Sequence, residues 1–167
     1  YQGNQLLPLR TTGNAPMRAI SYSTALNLEE SVMSTEQNRK IVEDAIALWT
    51  AGDGGAIFRI LADDVRWTVI GTTAVSGTYN GRQDFIDRAL KPLSRRLDGA
   101  ITPEVVDIIS EGDRIVLLWN GSGQMTDGSP YHNQYSWVMR FKNGAVTEGT
   151  AYLDTALLDQ LMAIPTA

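Results

Sequence analysis

The spacing of apolar residues predicts three helices and one strand in the first part of the chain. A helix is expected to begin at Ser34, which forms a capping box with Gln37, and to end at Gly52. Apolar residues at helical spacing also predict a short second helix and a third helix that breaks or kinks at Pro92. The predicted elements after the first helix are residues 55–62 (helix), 65–70 (strand) and 81–92 (helix).

A period of two replaces the helical period after Asp98 and predicts four strands joined by tight turns. The Asn143-Gly144 pair is typical of a hairpin turn. The predicted strands are residues 102–110, 114–124, 131–142 and 145–154, and residues 155–164 are interpreted as a short apolar tail. This order indicates an α+β fold, in which a cone-like curved antiparallel sheet wraps around three N-terminal helices and encloses a pocket.

Residues 1–33 differ from this pattern. They are largely polar at the start, with Gly3, Pro8 and Gly13 as breakers, and they carry no basic start followed by an apolar stretch. We expect them to form an N-terminal arm or extension that lies on the domain or on a partner subunit, with the domain itself spanning residues 34–167.

Composition narrows the classes of partner. The chain has 167 residues, a net charge of −5, no cysteine and one histidine. The acidic balance argues against nucleic acid and anionic membranes as partners. The absence of cysteine excludes disulfides and thiolate metal sites and leaves the compartment open, with a cytoplasmic protein as our expectation.

Five segments resemble SnoaL-like proteins of the nuclear transport factor 2-like superfamily, to which ketosteroid isomerases are related. In chain order they read GDGGAIFRILADDVRW (52–67), YNGRQDFI (79–86), SEGDRIVLLW (110–119), YHNQYSWVMRFKNGAVTE (131–148) and YLDT (152–155). The resemblance spans about residues 34–161. It implies a cone-shaped fold with an interior pocket and leaves the reaction open, because this scaffold hosts many chemistries.

Within that superfamily, the resemblance argues against three reactions. The two acids of ketosteroid isomerases would fall near Val69 and Trp137, and neither position is acidic. Limonene epoxide hydrolases use an Asp-Arg-Asp network, and residues 115–123 contain Asn120 but no arginine. Scytalone dehydratase relies on more than one histidine, and only His132 is present here. Asp154 in the segment YLDT resembles the aspartate that serves as general base in SnoaL cyclases.

These comparisons give a set of candidate site residues. Asp154 is the candidate base, whose burial in the pocket would raise its pKa, and His132 is its candidate catalytic partner. Alternatively, Asp154 caps the chain where it turns into residues 155–161. The candidate ligand-binding residues are Trp67, Trp119, Asn120, Tyr135, Trp137 and Tyr152. The residues suggest no metal site.

Two functions remain open at this point. One is a cofactor-independent lyase, cyclase or isomerase that removes a proton beside a carbonyl group. The other is a non-catalytic ligand-binding or assembly module of the same fold. In both, the expected partner is a small apolar or cyclic molecule. We also expect a homodimer formed by sheet faces. The strands from Arg114 to Asp154 carry more apolar residues than one concave face can bury, among them Leu118, Val138 and Met139.

Overall fold

The computed structural model describes residues 22–166, with side chains from Thr35 onward. Five α-helices and one π-helical segment accompany six strands in this part of the chain. The helices are α1 (Tyr22–Thr50), α2 (Ala56–Arg59), α3 (Arg82–Phe85), the π-helical segment (Ile86–Leu90), α4 (Lys91–Ser94) and α5 (Thr155–Met162). The strands are β1 (Leu61–Val69), β2 (Gly77–Asn80), β3 (Thr102–Glu111), β4 (Arg114–Gln124), β5 (Pro130–Lys142) and β6 (Ala145–Leu153).

All six strands form one curved, unclosed sheet in the order β2-β1-β6-β5-β4-β3. The four strands from β3 to β6 are an antiparallel meander, as the tight turns predict. β1 joins this meander through a parallel pairing with β6, in which Trp67 lies beside Gly149. The α+β class and the cone-like sheet are therefore confirmed, with one parallel pair inside a sheet that is otherwise antiparallel.

The hydrophobic core lies between the helices and the inner face of the sheet. Every second residue of β4 and β5 points inward, which buries Ile115, Leu117 and Trp119 on β4 and Trp137 and Met139 on β5. The apolar stripe of α1 is buried against this face, with Val42, Ala45 and Trp49 among its members. Met139 is thus a core residue. The expectation that it is one of the apolar residues left over for a dimer contact is wrong.

Several predicted boundaries differ from the structure. α1 begins at Tyr22, so Ser34 lies inside a helix and does not cap one. Residues 77–80, predicted as loop, pair with β1 as a short edge strand. Most of the predicted arm, residues 1–21, lies outside the described residues.

The helix around Pro92 continues where a break is predicted. A π-helical segment, Ile86–Leu90, comes directly before α4, and Pro92 lies in the first turn of α4. In a regular α-helix the ring of Pro92 would clash with the carbonyl group of Arg88. The wider turn therefore occurs where proline would otherwise disrupt the helix.

None of the helices in the described part of the chain is both long enough and apolar enough to cross a membrane.

Candidate functional site

Three of the predicted ligand-binding residues line one cavity of about 210 Å³. We call it the inner cavity. Trp119, Tyr135 and Trp137 face it from the inner side of β4 and β5, because alternate residues of a strand share a face. Phe58 of α2 and Leu93 of α4 line it from the helical side. The sheet and the helices thus enclose a space whose walls are mainly aromatic and aliphatic.

Trp67 lines a second, smaller cavity of about 60 Å³. Both cavities are lined by Tyr135, Trp137, Leu90 and Leu93, so these side chains lie between them. All four predicted aromatic residues of the inner face therefore belong to one apolar region of the interior.

Aromatic stacking fixes the walls of the inner cavity. The rings of Trp119 and Tyr135 are parallel, with centroids 3.9 Å apart. Trp137 meets Trp119 edge to face at 5.1 Å and Trp67 edge to face at 5.4 Å. Trp49 of α1 extends the cluster, 4.9 Å from Trp119. Such a network of offset and T-shaped pairs holds each ring in one orientation, so the cavity is preformed.

Three of the core tryptophans carry indole N–H groups that have no hydrogen-bond acceptor among the described residues. The indole Nε1 atoms of Trp67, Trp119 and Trp137 are buried and have no hydrogen-bond partner among the described residues. Trp49 differs, since its Nε1 donates to the carbonyl oxygen of Ile101 at 3.2 Å. A buried unsatisfied donor costs about 1–3 kcal/mol.

Tyr135 ends in a hydrogen-bonded pair of hydroxyl groups. Its hydroxyl oxygen lies 2.7 Å from that of Tyr131, which also accepts a hydrogen bond from Asn133 Nδ2 at 3.0 Å. Burial, and then the neighbouring Tyr131, raise the pKa of Tyr135 well above its usual value. Tyr135 is therefore a neutral group at physiological pH and does not serve there as a base.

An open groove of about 680 Å³ meets the inner cavity at Phe58, Leu90 and Ser94, which line both. We call it the basic groove, because Arg59 and two further cations also line it. These two are Arg82 and Lys91. The basic groove therefore combines an apolar surface with three positive charges beside the cavity.

Asp154 lies outside the inner cavity. Its side chain is exposed and caps α5, where Oδ1 accepts hydrogen bonds from the backbone N–H groups of Ala156 at 2.9 Å and Leu157 at 3.3 Å. The prediction that Asp154 faces a closed apolar pocket is wrong. The capping alternative describes its position.

Three other predicted residues also point away from the cavity. Tyr152 is 47% exposed on the outer face of β6. Asn120 and His132 line an outer groove of about 450 Å³ together with Asp154 and Glu104. The prediction that Tyr152 shares a pocket with the tryptophans is wrong, whereas Asp154, His132 and Asn120 do come together, on the opposite face of the sheet.

The outer groove is polar and open. His132 Nδ1 lies 3.2 Å from Ser122 Oγ, and Asn120 Nδ2 donates to Glu104 Oε2 at 3.4 Å. Among the side chains that the structure describes, no group of three or more histidine and carboxylate residues is placed to hold a metal ion. Catalytic roles for Asp154 and His132 stay predictions, and the groove is the place where they would have to act together.

A family model described as a SnoaL-like domain matches residues 42–149, which is more than half of the chain and includes β1 to β5 and most of β6. The chain belongs to the SnoaL-like domain family. Similarity to solved structures agrees with this assignment at the level of the fold. No curated protein shows significant similarity to the chain.

Three solved structures illustrate the likeness. Bal32a, from a soil-derived mobile gene cassette, shares 19% identity with a TM-score of 0.66, covering 77% of this chain and 98% of its own. An NTF2-like protein of unknown function from Burkholderia pseudomallei shares 23% identity with the same TM-score, 0.66, and the same coverage, 77% and 98%. TerC, co-crystallised with polyporic acid, shares 20% identity with a TM-score of 0.64, covering 77% of this chain and 99% of its own.

Two interior positions bear on the expected reaction. The resemblance to ketosteroid isomerases implies acids near Val69 and Trp137, and both residues are buried on the inner face of the sheet. The side chains at these two positions are therefore interior and carry no carboxyl group.

Sequence reasoning missed the helical side of the site. Phe58, Leu90 and Leu93 line the inner cavity, and Arg59, Arg82 and Lys91 line the basic groove. The signal for Leu90 and Leu93 is their continuation of the apolar stripe of α3 at helical spacing. The three cations gave no such signal, because Arg82 follows Arg59 by 23 positions and Lys91 follows Arg82 by 9. Only the packing of three helical segments brings them together.

Proposed function

We propose that this SnoaL-like protein binds a small, flat, largely apolar molecule that carries an acceptor oxygen, and that the inner cavity is the binding site. The observation that carries the proposal is the mainly aromatic lining of the inner cavity, in which Trp119 and Trp137 carry indole N–H groups that have no acceptor among the described residues. A carbonyl or ether oxygen is the complement of an indole donor.

The shape and walls of the inner cavity suit a ring system. Its volume of about 210 Å³ is below the range of about 300–1,000 Å³ typical of drug-sized ligands, so the expected ligand is small, or it extends into the basic groove. The stacked pair of Trp119 and Tyr135 offers a flat aromatic wall.

The same walls favour binding over proton abstraction. Among the described residues that line the inner cavity, none is an aspartate, glutamate or histidine. The hydroxyl of Tyr135 is kept neutral by its raised pKa. A reaction that begins with removal of a carbon-bound proton needs a base within hydrogen-bond reach of that proton.

A matched pair of ligands tests the proposal. Acetylnaphthalene and ethylnaphthalene have nearly the same shape, and only the first carries a carbonyl oxygen. Quenching of tryptophan fluorescence should report binding of both, because all four tryptophans of the chain are buried in the aromatic cluster. We expect acetylnaphthalene to bind about fivefold more tightly, which corresponds to one net hydrogen bond.

Two kinds of variant locate the effect. In the double variant Trp119→Phe and Trp137→Phe, an aromatic ring remains at each position and both N–H groups are lost, so the preference for acetylnaphthalene should disappear. Ala100 lines the inner cavity, so the larger side chain of Ala100→Phe should narrow the cavity and weaken binding of both ligands, whereas Ala74→Phe, at an exposed loop position that does not line it, should not. Equal binding by wild type and Ala100→Phe would contradict the proposal.

A second candidate function is catalysis in the outer groove, which is favoured by the meeting of Asp154, His132 and Asn120 there. The two sites are distinguished by the amide chemical shifts that change when acetylnaphthalene is added to the protein. Binding in the inner cavity should perturb Leu93 and Ile101, and binding in the outer groove should perturb Ser122 and Gln134.

A further inference from the structure

We infer that the natural ligand is an amphipathic organic anion, whose ring system occupies the inner cavity and whose carboxylate or similar acidic group lies in the basic groove. This inference rests on the proposed function, because it adds a charged group to the molecule that the inner cavity binds. It assigns a role to Arg59, Arg82 and Lys91, which the inner cavity alone does not explain.

The basic groove adjoins the inner cavity. Phe58, Leu90 and Ser94 line both spaces, so the two meet along these side chains, and a ligand that occupies both must pass them. Ile86 adds a partly buried apolar surface within it. A single elongated molecule can therefore contact the aromatic walls at one end and the groove at the other.

The three cations come from three different elements. Arg59 ends α2, Arg82 begins α3 and Lys91 begins α4. Among the described residues that line the groove, none is acidic. Three basic side chains therefore line one apolar groove in a chain whose net charge is −5.

Each cation has an aspartate partner, and all three partners lie off the groove. Arg59 pairs with Asp53, Arg82 pairs with Asp63, and Lys91 Nζ lies 2.7 Å from Asp87 Oδ1. The side chains of these aspartates are 46%, 90% and 47% exposed.

Such exposed pairs contribute only about 0–1 kcal/mol to stability. A ligand carboxylate can therefore share or replace an aspartate at little cost. Meanwhile the aspartates hold the basic side chains in place beside the groove.

The expected head group follows from the geometry of the cations. Arg59 and Arg82 carry planar guanidinium groups, which match the two oxygens of a carboxylate better than a single point charge does, and Arg59 already holds the Asp53 carboxylate through both terminal nitrogens. The expected body is the acceptor-bearing ring system of the proposed function. The ligand class is therefore an aromatic or polycyclic acid with a carbonyl-type oxygen.

Two fluorescent probes that differ by one charge test the inference. Anilinonaphthalene sulfonate and phenylnaphthylamine share the same ring body, and only the first carries an acidic group. Wild-type protein should bind the sulfonate more tightly than the neutral probe, and added salt should weaken only the sulfonate.

A matched pair of double variants then removes two charges at two places. Arg59→Gln with Lys91→Gln removes two cations of the groove. Arg88→Gln with Lys40→Gln removes two cations that lie off it, each paired with an aspartate four residues away in sequence. We expect the first double variant to bind the sulfonate about tenfold more weakly and to keep its affinity for the neutral probe, and the second to change neither.

The outcomes separate this inference from the proposed function. Loss of sulfonate binding in both double variants, or in neither, while the neutral probe still binds, would overturn the anion inference and leave the proposed function standing. Failure of the neutral probe to bind wild type, or its unchanged binding to Ala100→Phe, would overturn the proposed function and this inference with it.

Discussion

Asp154 lies at the junction of β6 and α5, where its side chain accepts two backbone hydrogen bonds and its own backbone is held by Asn133. Asn133 Oδ1 accepts from the Asp154 N–H at 3.1 Å, and Asn133 Nδ2 donates to the Asp154 carbonyl at 3.0 Å. The junction is therefore fixed from both sides, which places Leu158 and Leu161 of α5 in the core. At this residue, capping accounts for an aspartate in the segment YLDT without a catalytic role.

Capping predicts a specific contrast between two substitutions. Asp154→Ala removes the acceptor and should lower the free energy of unfolding by about 1 kcal/mol. Asp154→Asn keeps a side-chain oxygen that can accept the same bonds, so it should change the free energy of unfolding by only a few tenths of a kcal/mol. Urea unfolding followed by circular dichroism measures both values.

The same two variants address the alternative role. Both should bind ring ligands in the inner cavity as wild type does, because Asp154 does not line it. Equal destabilisation by the two substitutions would argue against capping, and loss of ligand binding in Asp154→Asn would argue for a direct role of the carboxylate.

At the scale of elements, the pairing of β1 with β6 depends on small residues on the inner face of β6. Gly149 lies directly beside Trp67, and a Cβ atom at Gly149 would overlap the ring of Trp67. Gly149 is buried in the middle of a strand, where glycine is otherwise unfavourable. The absence of a side chain thus makes room for one of the core tryptophans.

We expect Gly149→Ala to destabilise the protein by about 2 kcal/mol, because the Trp67 ring must move out of its packed position. Gly54→Ala is the control, since a Cβ there would lie 3.9 Å from Trp49 Nε1, an ordinary contact. That control should change stability by less than about 0.5 kcal/mol. Thermal unfolding with fluorescence detection measures both, and similar values for the two variants would contradict this account.

Local patterns predict the elements well and the faces of β6 badly. Alternation and the turn glycines predict the four meander strands to within one residue at each end, because hairpins are local structures. The sequence predicts that the polar face of β6, with Tyr152 and Asp154, lines the pocket. The contact between Trp67 and Gly149 shows that the opposite face of β6 points inward. That contact joins two strands 82 residues apart, and no local signal encodes it.

Two further elements show the same contrast between local signals and long-range pairing. The signal for α5 is present, since Asp154-Thr155 is a good helix start, but the short apolar segment after it also fits a tail. The edge strand Gly77–Asn80 has no alternating pattern of its own and forms because β1 provides a pairing edge.

At the scale of the whole molecule, the outer face of the sheet retains apolar residues that none of the described residues covers. Ile109 is 52% exposed and Tyr152 is 47% exposed, and Val116, Leu118 and Val138 are partly exposed beside them. Their register places them in one patch, because Leu118 pairs with Ser136, which pairs with Tyr152. Apolar groups on both faces of a sheet call for a second covering layer.

The charges around this apolar patch favour a second copy of the chain as that layer. Arg66, Arg114 and Arg140 outnumber Glu148 and Asp113 at one end of the outer face, and Glu104 and Asp154 lie at the other end, in the outer groove. A two-fold axis through the patch, with strands of the two copies running in opposite directions, would bring the arginine end of each copy to the acidic end of the other.

We therefore expect a homodimer at micromolar concentration, and a shift toward monomer when Leu118 is replaced by glutamate. A glutamate at the centre of the patch would be buried between two sheets without a cationic partner, which is unfavourable by several kcal/mol. Leu48→Glu is the matched control, because Leu48 is 52% exposed on α1 and carries the same change of charge away from the patch. Sedimentation equilibrium measures the mass of all three proteins. A monomeric wild type would remove the proposal of a dimer, and a dimeric Leu118→Glu protein would place the contact on another surface.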